Sequence, residues 1–127
     1  MDHCQHGFPA PRILVIEDES LITTMVVVTL IDEGYDVRSA SDGLAALDVV
    51  QAWTPCLILL DILMPVMDGR TFLRRLWQLE DLSTTPVVLM SGAGGPLLSD
   101  ENIRVADVIR KPFSLDLLLG VVSRLAG

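Results

Sequence analysis

The strongest constraint on this chain is a change of hydrophobic period that repeats along nearly its whole length. Short apolar runs alternate with stretches of helical spacing. Residues 12–17 (R-I-L-V-I-E), 35–40, 57–60 (L-I-L-L), 86–90 and 105–110 are short and dominated by Val, Ile and Leu, which predicts strands. Between them, residues 20–33, 43–53 and 69–79 repeat apolar side chains three and four apart, which predicts helices. Leu21, Met25 and Val28 are in phase in the first, Leu44, Leu47 and Val50 in the second, and Phe72, Leu76 and Leu79 in the third. Gly34 and Pro55 end the first two. Residues 91–96 read as a Gly-rich loop, residues 97–104 as a short helix, and Ser114 as the cap of a last helix running to residue 125.

Strands that alternate with helices build parallel β-α-β units. Near-continuous apolar strands belong to a sheet covered on both faces. The expected fold class is therefore α/β over residues 12–126: a doubly wound, five-stranded parallel sheet of flavodoxin-like type with strand order 2-1-3-4-5. A polar tail, residues 1–11, precedes it. Such sheets bind ligands beyond the carboxyl ends of their strands. The residues found there are Glu17 and Asp18, then Asp61, Ser91 and Lys111. All are polar, all follow apolar runs, and the topology gathers them at one edge.

Charge narrows the function. Nine Lys and Arg stand against seventeen Asp and Glu, a net charge of −8. A nucleic-acid binder is expected to show a basic patch, and no basic run occurs, so direct nucleic-acid binding is not expected. No apolar run is long enough to span a bilayer, and the N-terminal residues lack the basic and apolar segments of a signal peptide. Cys4 and Cys56 make no disulfide framework, and Cys56 reads as a buried free thiol. A cytoplasmic protein is expected.

Three carboxylates on different strands do not crowd together unaided. Two like charges about 5 Å apart repel by roughly 3 kcal/mol at an effective dielectric near 20. A hard divalent cation with oxygen ligands compensates them best, and Mg²⁺ suits one or two carboxylates plus waters and phosphate oxygens. The alternative is that Glu17 and Asp18 only favour the dipole of the first helix. Asp61 at the end of the most apolar strand is costly to desolvate, which marks it as a nucleophile or ligand. Lys111 can pair with it and with a phosphoryl oxygen, and Ser91 offers a hydroxyl donor. The set reads as phosphoryl transfer: cation and lysine neutralise charge, the hydroxyl positions, the carboxylate attacks.

On V-I-E-D-E, L-L-D-I-L-M-P-V-M-D-G, V-V-L-M-S-G-A and R-K-P-F, residues 12–126 resemble the receiver domain of two-component response regulators. The resemblance implies that Asp61 accepts phosphate from a phosphohistidine of a sensor histidine kinase or histidine phosphotransfer protein. It implies Mg²⁺ held by Asp18, Asp61 and the backbone carbonyl of Leu63, with Glu17 acting through water. It makes Ser91 the switch hydroxyl and Lys111 the phosphate-pairing lysine. Pro65 and Gly69 shape the loop after Asp61, and the Lys111–Pro112 bond is expected to be cis. Val108 stands where the family often places an aromatic switch residue. Leu63 and Ala93 occupy the two positions that tune acyl-phosphate hydrolysis, and neither side chain can hydrogen-bond a water.

Two surfaces stand out. The first helix is apolar nearly all round, which predicts a docking face for kinase or phosphotransfer helices. In the last helix, Leu115, Leu118, Leu119 and Val122 form the expected core stripe, leaving Leu117 and Val121 for a partner or a homodimer. Trp53 and Trp77 have no evident stacking partners. Three rival functions are weighed. A haloacid-dehalogenase-like phosphatase needs an acid two residues after its nucleophile, where Leu63 stands. A flavin or nucleotide binder needs a Gly- or Ser-rich phosphate cradle after the first strand, where E-D-E-S stands. A pseudo-receiver docking module would not need the intact acidic set. A single-domain regulator and the receiver part of a larger protein remain equally open.

Overall fold

Short apolar strands bury both faces only when helices cover both, and the chain folds accordingly. The structure is a computed structural model that describes residues 10–61, 69–92 and 104–126. The tail through residue 9, the loop after Asp61 and the helix expected from residue 97 lie outside the described residues, apart from Arg104, which is in coil. In chain order the elements are β1 (Arg12–Ile16), α1 (Ser20–Asp32), β2 (Asp36–Ala40), α2 (Gly43–Ala52), β3 (Leu57–Asp61), α3 (Gly69–Gln78), β4 (Val87–Ser91), β5 (Asp107–Arg110) and α4 (Leu115–Ala126). Each lies within one or two residues of its expected bounds. A 3₁₀ turn at Glu80–Leu82 had no counterpart in the periodicity.

The strands form one sheet in the order β2-β1-β3-β4-β5, every pair parallel, as expected. Alternation along each strand divides the core in two. Leu14, Ile16, Ile58, Leu60 and Leu89 face α2 and α3, where Phe72, Leu73 and Leu76 meet them. Ile13, Val15, Leu57, Leu59, Val88 and Met90 face α1 and α4. β3 and β4 are buried throughout, whereas the edge strand β2 is mostly exposed. Polar edges such as Asp36 and Arg38 discourage pairing with another sheet. Cys56 is a buried free thiol, and the Arg12 backbone N–H donates to its Sγ at 3.5 Å.

Helix ends follow their sequence signals. Asp42 caps α2 by accepting from the Ala45 N–H at 2.8 Å, and Ser114 caps α4 by accepting from the Leu117 N–H at 3.1 Å. At the end of α1, the Gly34 N–H reaches the Ile31 carbonyl and the Tyr35 N–H the Leu30 carbonyl. This Schellman closure needs a left-handed residue, and Gly34 supplies it at φ 97°.

The expected stripes need three corrections. In α1 the core side chains are Val26 and Leu30, flanked by Ile22 and Val27. Leu21, Met25 and Val28 point the other way, and Leu21 is 82% exposed. In α2, Leu44 faces solvent while Ala46, Leu47 and Val50 are buried. In α4, Val121 joins Leu118 and Val122 in the core, while Leu115 and Leu117 are exposed. Spacing alone cannot choose a stripe when apolar residues lie on every side. The tryptophans do have partners: the guanidinium carbons of Arg12 and Arg38 lie 5.4 and 4.9 Å from the centroid of Trp53, and that of Arg104 lies 4.7 Å from that of Trp77. No helix among the described residues is long and apolar enough to cross a membrane.

The corrected α1 stripe has a direct consequence. Leu30→Ala is expected to cost about 2–4 kcal/mol, and Leu21→Ala no more than about 0.5 kcal/mol, in urea unfolding. Equal costs would return α1 to the stripe expected from spacing.

Candidate acidic site

The register of the sheet assembles the site. Ile16 of β1 pairs with Leu60 of β3, so Glu17 follows β1 one step beyond that pair, beside Asp61 at the end of β3. The Glu17 N–H donates to the Ala40 carbonyl at 3.1 Å, which holds its backbone against β2. Asp61 pairs with Met90 of β4, and Ser91 pairs with Arg110 of β5. Lys111 follows β5 directly, its N–H donates to the Ser91 carbonyl at 2.6 Å, and the Lys111–Pro112 bond is cis as expected.

Glu17, Asp61 and Ser91 are 2%, 6% and 4% exposed, so three polar side chains sit in the interior at one edge. Asp18 beside them is exposed. Oxygens of Glu17, Asp18 and Asp61 all lie within 4.8 Å of one another. The sequence paired Lys111 with Asp61, and the structure adds a closer partner. Lys111 Nζ lies 2.6 Å from Glu17 Oε1 and 3.6 Å from Asp61 Oδ2. The missed contact spans 94 residues, and no local pattern encodes it. The longer arm of glutamate was its only sequence signal. Leu63 and Ala93 lie outside the described residues.

Electrostatics follow from this packing. Burial alone would raise the Glu17 carboxyl, but hydrogen bonding to Asp61 and Lys111, the charge of Lys111 and the Glu19 N–H together hold it below its ordinary value. Burial would lower the Lys111 ammonium, but the hydrogen bond to Glu17 and the charges of Asp61 and Glu17 raise it instead. Both shifts favour the charged pair. Three carboxylates with converging oxygens, and no nitrogen or sulfur donor grouped with them among the described residues, fit a hard cation such as Mg²⁺. An open cleft of about 360 Å³ is lined by Glu17 and Asp18 together with Ser20, Thr23, Thr24, Ser39 and Ser41.

A parallel sheet of this order, with acids after β1 and at the end of β3, a hydroxyl ending β4 and a lysine after β5, is the arrangement of a receiver domain. The chain belongs to the response regulator receiver domain family, which matches it over residues 13–123. Such domains act in two-component phosphorelay signalling. A DNA-binding dual master transcriptional regulator, RpaA of Synechocystis, is 32% identical over 91% of this chain and 48% of its own length. The chain spans about half or less of the curated relatives it matches. Among solved structures, the Vibrio cholerae chemotaxis protein CheY4 superposes with a TM-score of 0.85 at 30% identity, covering 91% of this chain and 98% of that one. The receiver domain of the Pseudomonas aeruginosa sensor histidine kinase PA1611 matches with a TM-score of 0.85 at 25% identity over 93% and 98% of the two chains, and carries a magnesium ion in its active-site cleft.

The ion pair makes a testable contribution to stability. Removing one partner of a fully buried pair costs about 3–5 kcal/mol. The Lys111 side chain is 19% exposed, so Lys111→Met is expected to cost less, about 1–3 kcal/mol at neutral pH in EDTA. In the wild type, the lowered Glu17 carboxyl contributes stability above its ordinary value of 4.5 and loses it as pH falls through the lower folded value. Without Lys111, burial opposes the charged carboxylate and acid relieves it. The difference in urea unfolding free energy is therefore expected to narrow as pH falls below 4.5, and a widening gap would contradict the pairing.

Proposed function

We propose that this chain takes one phosphoryl group on Asp61 from a phosphohistidine of a sensor histidine kinase or histidine phosphotransfer protein. The observation that carries the reading is the buried Asp61 carboxylate at a strand end, with the Lys111 ammonium 3.6 Å away and two further acids within 4.8 Å. An Asp61 oxygen attacks phosphorus, the phosphorus–nitrogen bond breaks, and the imidazole leaves with the electron pair. Lys111 meets the charge on the phosphoryl oxygens, and Ser91 donates its hydroxyl to one of them. Asp18, Asp61 and the Leu63 carbonyl would hold Mg²⁺, with Glu17 acting through water. Bound there, the ion supplies positive charge against the phosphoryl oxygens.

The donor's helices dock on α1. Its outward stripe of Leu21, Met25 and Val28 starts one turn from Asp18 and offers apolar surface that the domain itself does not cover. For a homodimer through α4, only Leu115 and Leu117 remain outward, since Val121 belongs to the core.

Incubation with acetyl phosphate and Mg²⁺ is expected to add the mass of one phosphoryl group, lost in Asp61→Asn and in EDTA. Addition to Asp61→Asn at the wild-type rate would overturn the assignment. Since Leu63 cannot hydrogen-bond a water, phospho-Asp61 is expected to be long-lived, and Leu63→Gln should shorten its lifetime several-fold by placing an amide beside it. Rapid phosphate loss from the wild type in Mg²⁺ alone, or an unchanged lifetime in the variant, would refute this.

A further inference from the structure

The sheet has a second edge. β4 and β5 run parallel, so their amino ends lie away from Ser91 and Lys111, roughly 13 Å back along the strands at about 3.3 Å per residue. There the Ala106 N–H donates to the Val87 carbonyl at 2.8 Å, and the Ile58 N–H to the Pro86 carbonyl at 3.1 Å, which fixes the residues that lead into both strands. A cleft of about 180 Å³ opens beside them, walled by Trp77, Thr84, Thr85, Pro86, Arg104 and Val105.

Its chemistry differs from that of the acidic edge. The guanidinium carbon of Arg104 stands 4.7 Å from the centroid of Trp77, and no carboxylate among the described residues pairs with it. A guanidinium above an indole still offers the N–H donors in its own plane, and these match a carboxylate or phosphate two at a time. Thr85 is 4% exposed, and its Oγ1 has no hydrogen-bond partner among the described residues. Buried hydroxyls are ordinarily paired, and leaving one unpaired costs free energy. Thr85 lines the cleft, and a turn about χ1 re-aims its oxygen. Trp77, Pro86 and Val105 are half-buried and supply apolar wall, and no acid lines the cleft in a chain of net charge −8. An Arg–Trp pair alone would serve stability. The unpaired hydroxyl beside it and the acid-free walls point to a ligand. The volume lies below the roughly 300 Å³ at which drug-sized ligands are held, so the occupant is small. We propose that this cleft binds a small organic anion, with its carboxylate or phosphate head on Arg104 and the Thr84 and Thr85 hydroxyls and its apolar body against Trp77 and Pro86. The site shares no residue with the acidic cluster, so it stands or falls apart from the phosphoryl-acceptor reading.

The test follows the indole N–H signals of the full chain by NMR, in EDTA and at constant ionic strength. Two tryptophans give two signals, and Trp53, under Arg12 and Arg38 of β1 and β2, is the internal reference. Phenyl phosphate in the millimolar range should shift the Trp77 signal saturably and leave that of Trp53 in place. Inorganic phosphate, the head alone, and phenol, the body alone, should each bind more weakly. Benzoate in place of phenyl phosphate separates a carboxylate head from a phosphate head, since the tighter of the two names it. Arg104 is exposed, so Arg104→Gln should fold normally and weaken phenyl phosphate by about ten- to a hundredfold, the span of hydrogen bonds to a charged group. Thr85→Val, which keeps the side-chain size, should weaken it several-fold. A Trp77 signal that ignores both phenyl phosphate and benzoate, equal shifts at the two tryptophans, or undiminished binding by Arg104→Gln overturns the proposal. Phenol or inorganic phosphate binding as tightly as phenyl phosphate overturns it too, because the head or the body would then contribute nothing.

Discussion

Three carboxylates meet where the parallel strands end, and one ammonium holds them. At an effective dielectric near 20, each pair of like charges about 5 Å apart costs roughly 3 kcal/mol, a large fraction of a small domain's net stability. Lys111 offsets this from within the chain, and it can do so only because β5 ends beside β4 and β4 beside β3. The sheet and the site are thus one problem. Any register slip that moved Lys111 away would leave Glu17 charged and buried without its partner.

The same crowding bears on the phosphoryl-acceptor role proposed for Asp61. A carboxylate that could be satisfied by water would gain little from a passing phosphoryl group. Asp61 is held beside Glu17 under a shared cation, in a setting where burial strengthens every charge interaction. Under the proposed function, transfer of a phosphoryl group would add charge, and the Lys111 ammonium stands 3.6 Å from Asp61 Oδ2. The Ser91 carbonyl accepts from the Lys111 N–H, which ties the end of β4 to the residue after β5.

Much of this was legible in the chain. Strand order and the gathering of Glu17, Asp18, Asp61, Ser91 and Lys111 at one edge follow from alternation and from polar residues that close apolar runs. What was not legible depends on side-chain direction and distant pairing. In α1, Leu21 and Ile22 are equally apolar, and only the sheet decides that Ile22 turns inward while Leu21 stays 82% exposed. Val121 was misassigned for the same reason in α4. The arginines over Trp53 and Trp77 and the Glu17–Lys111 bond join residues far apart in sequence, so no periodicity records them.

Val108 sharpens the question of how a change at Asp61 leaves the site. The residue is half-buried and packs against the α2–α3 core with Val105. A β-branched side chain is stiff about χ1 and has no ring to swing between a buried and an exposed position. The Lys111 side chain and the hydrogen bond from its N–H to the Ser91 carbonyl run from the acids to the β4–β5 edge. Both start at one residue. Under the proposed function, drawing the ammonium from Glu17 toward a phosphoryl group would pull on the end of β5, and the bond to Ser91 would carry that pull to β4. On the proposed function, a single lysine rather than an aromatic rotor would join the chemistry to the surface.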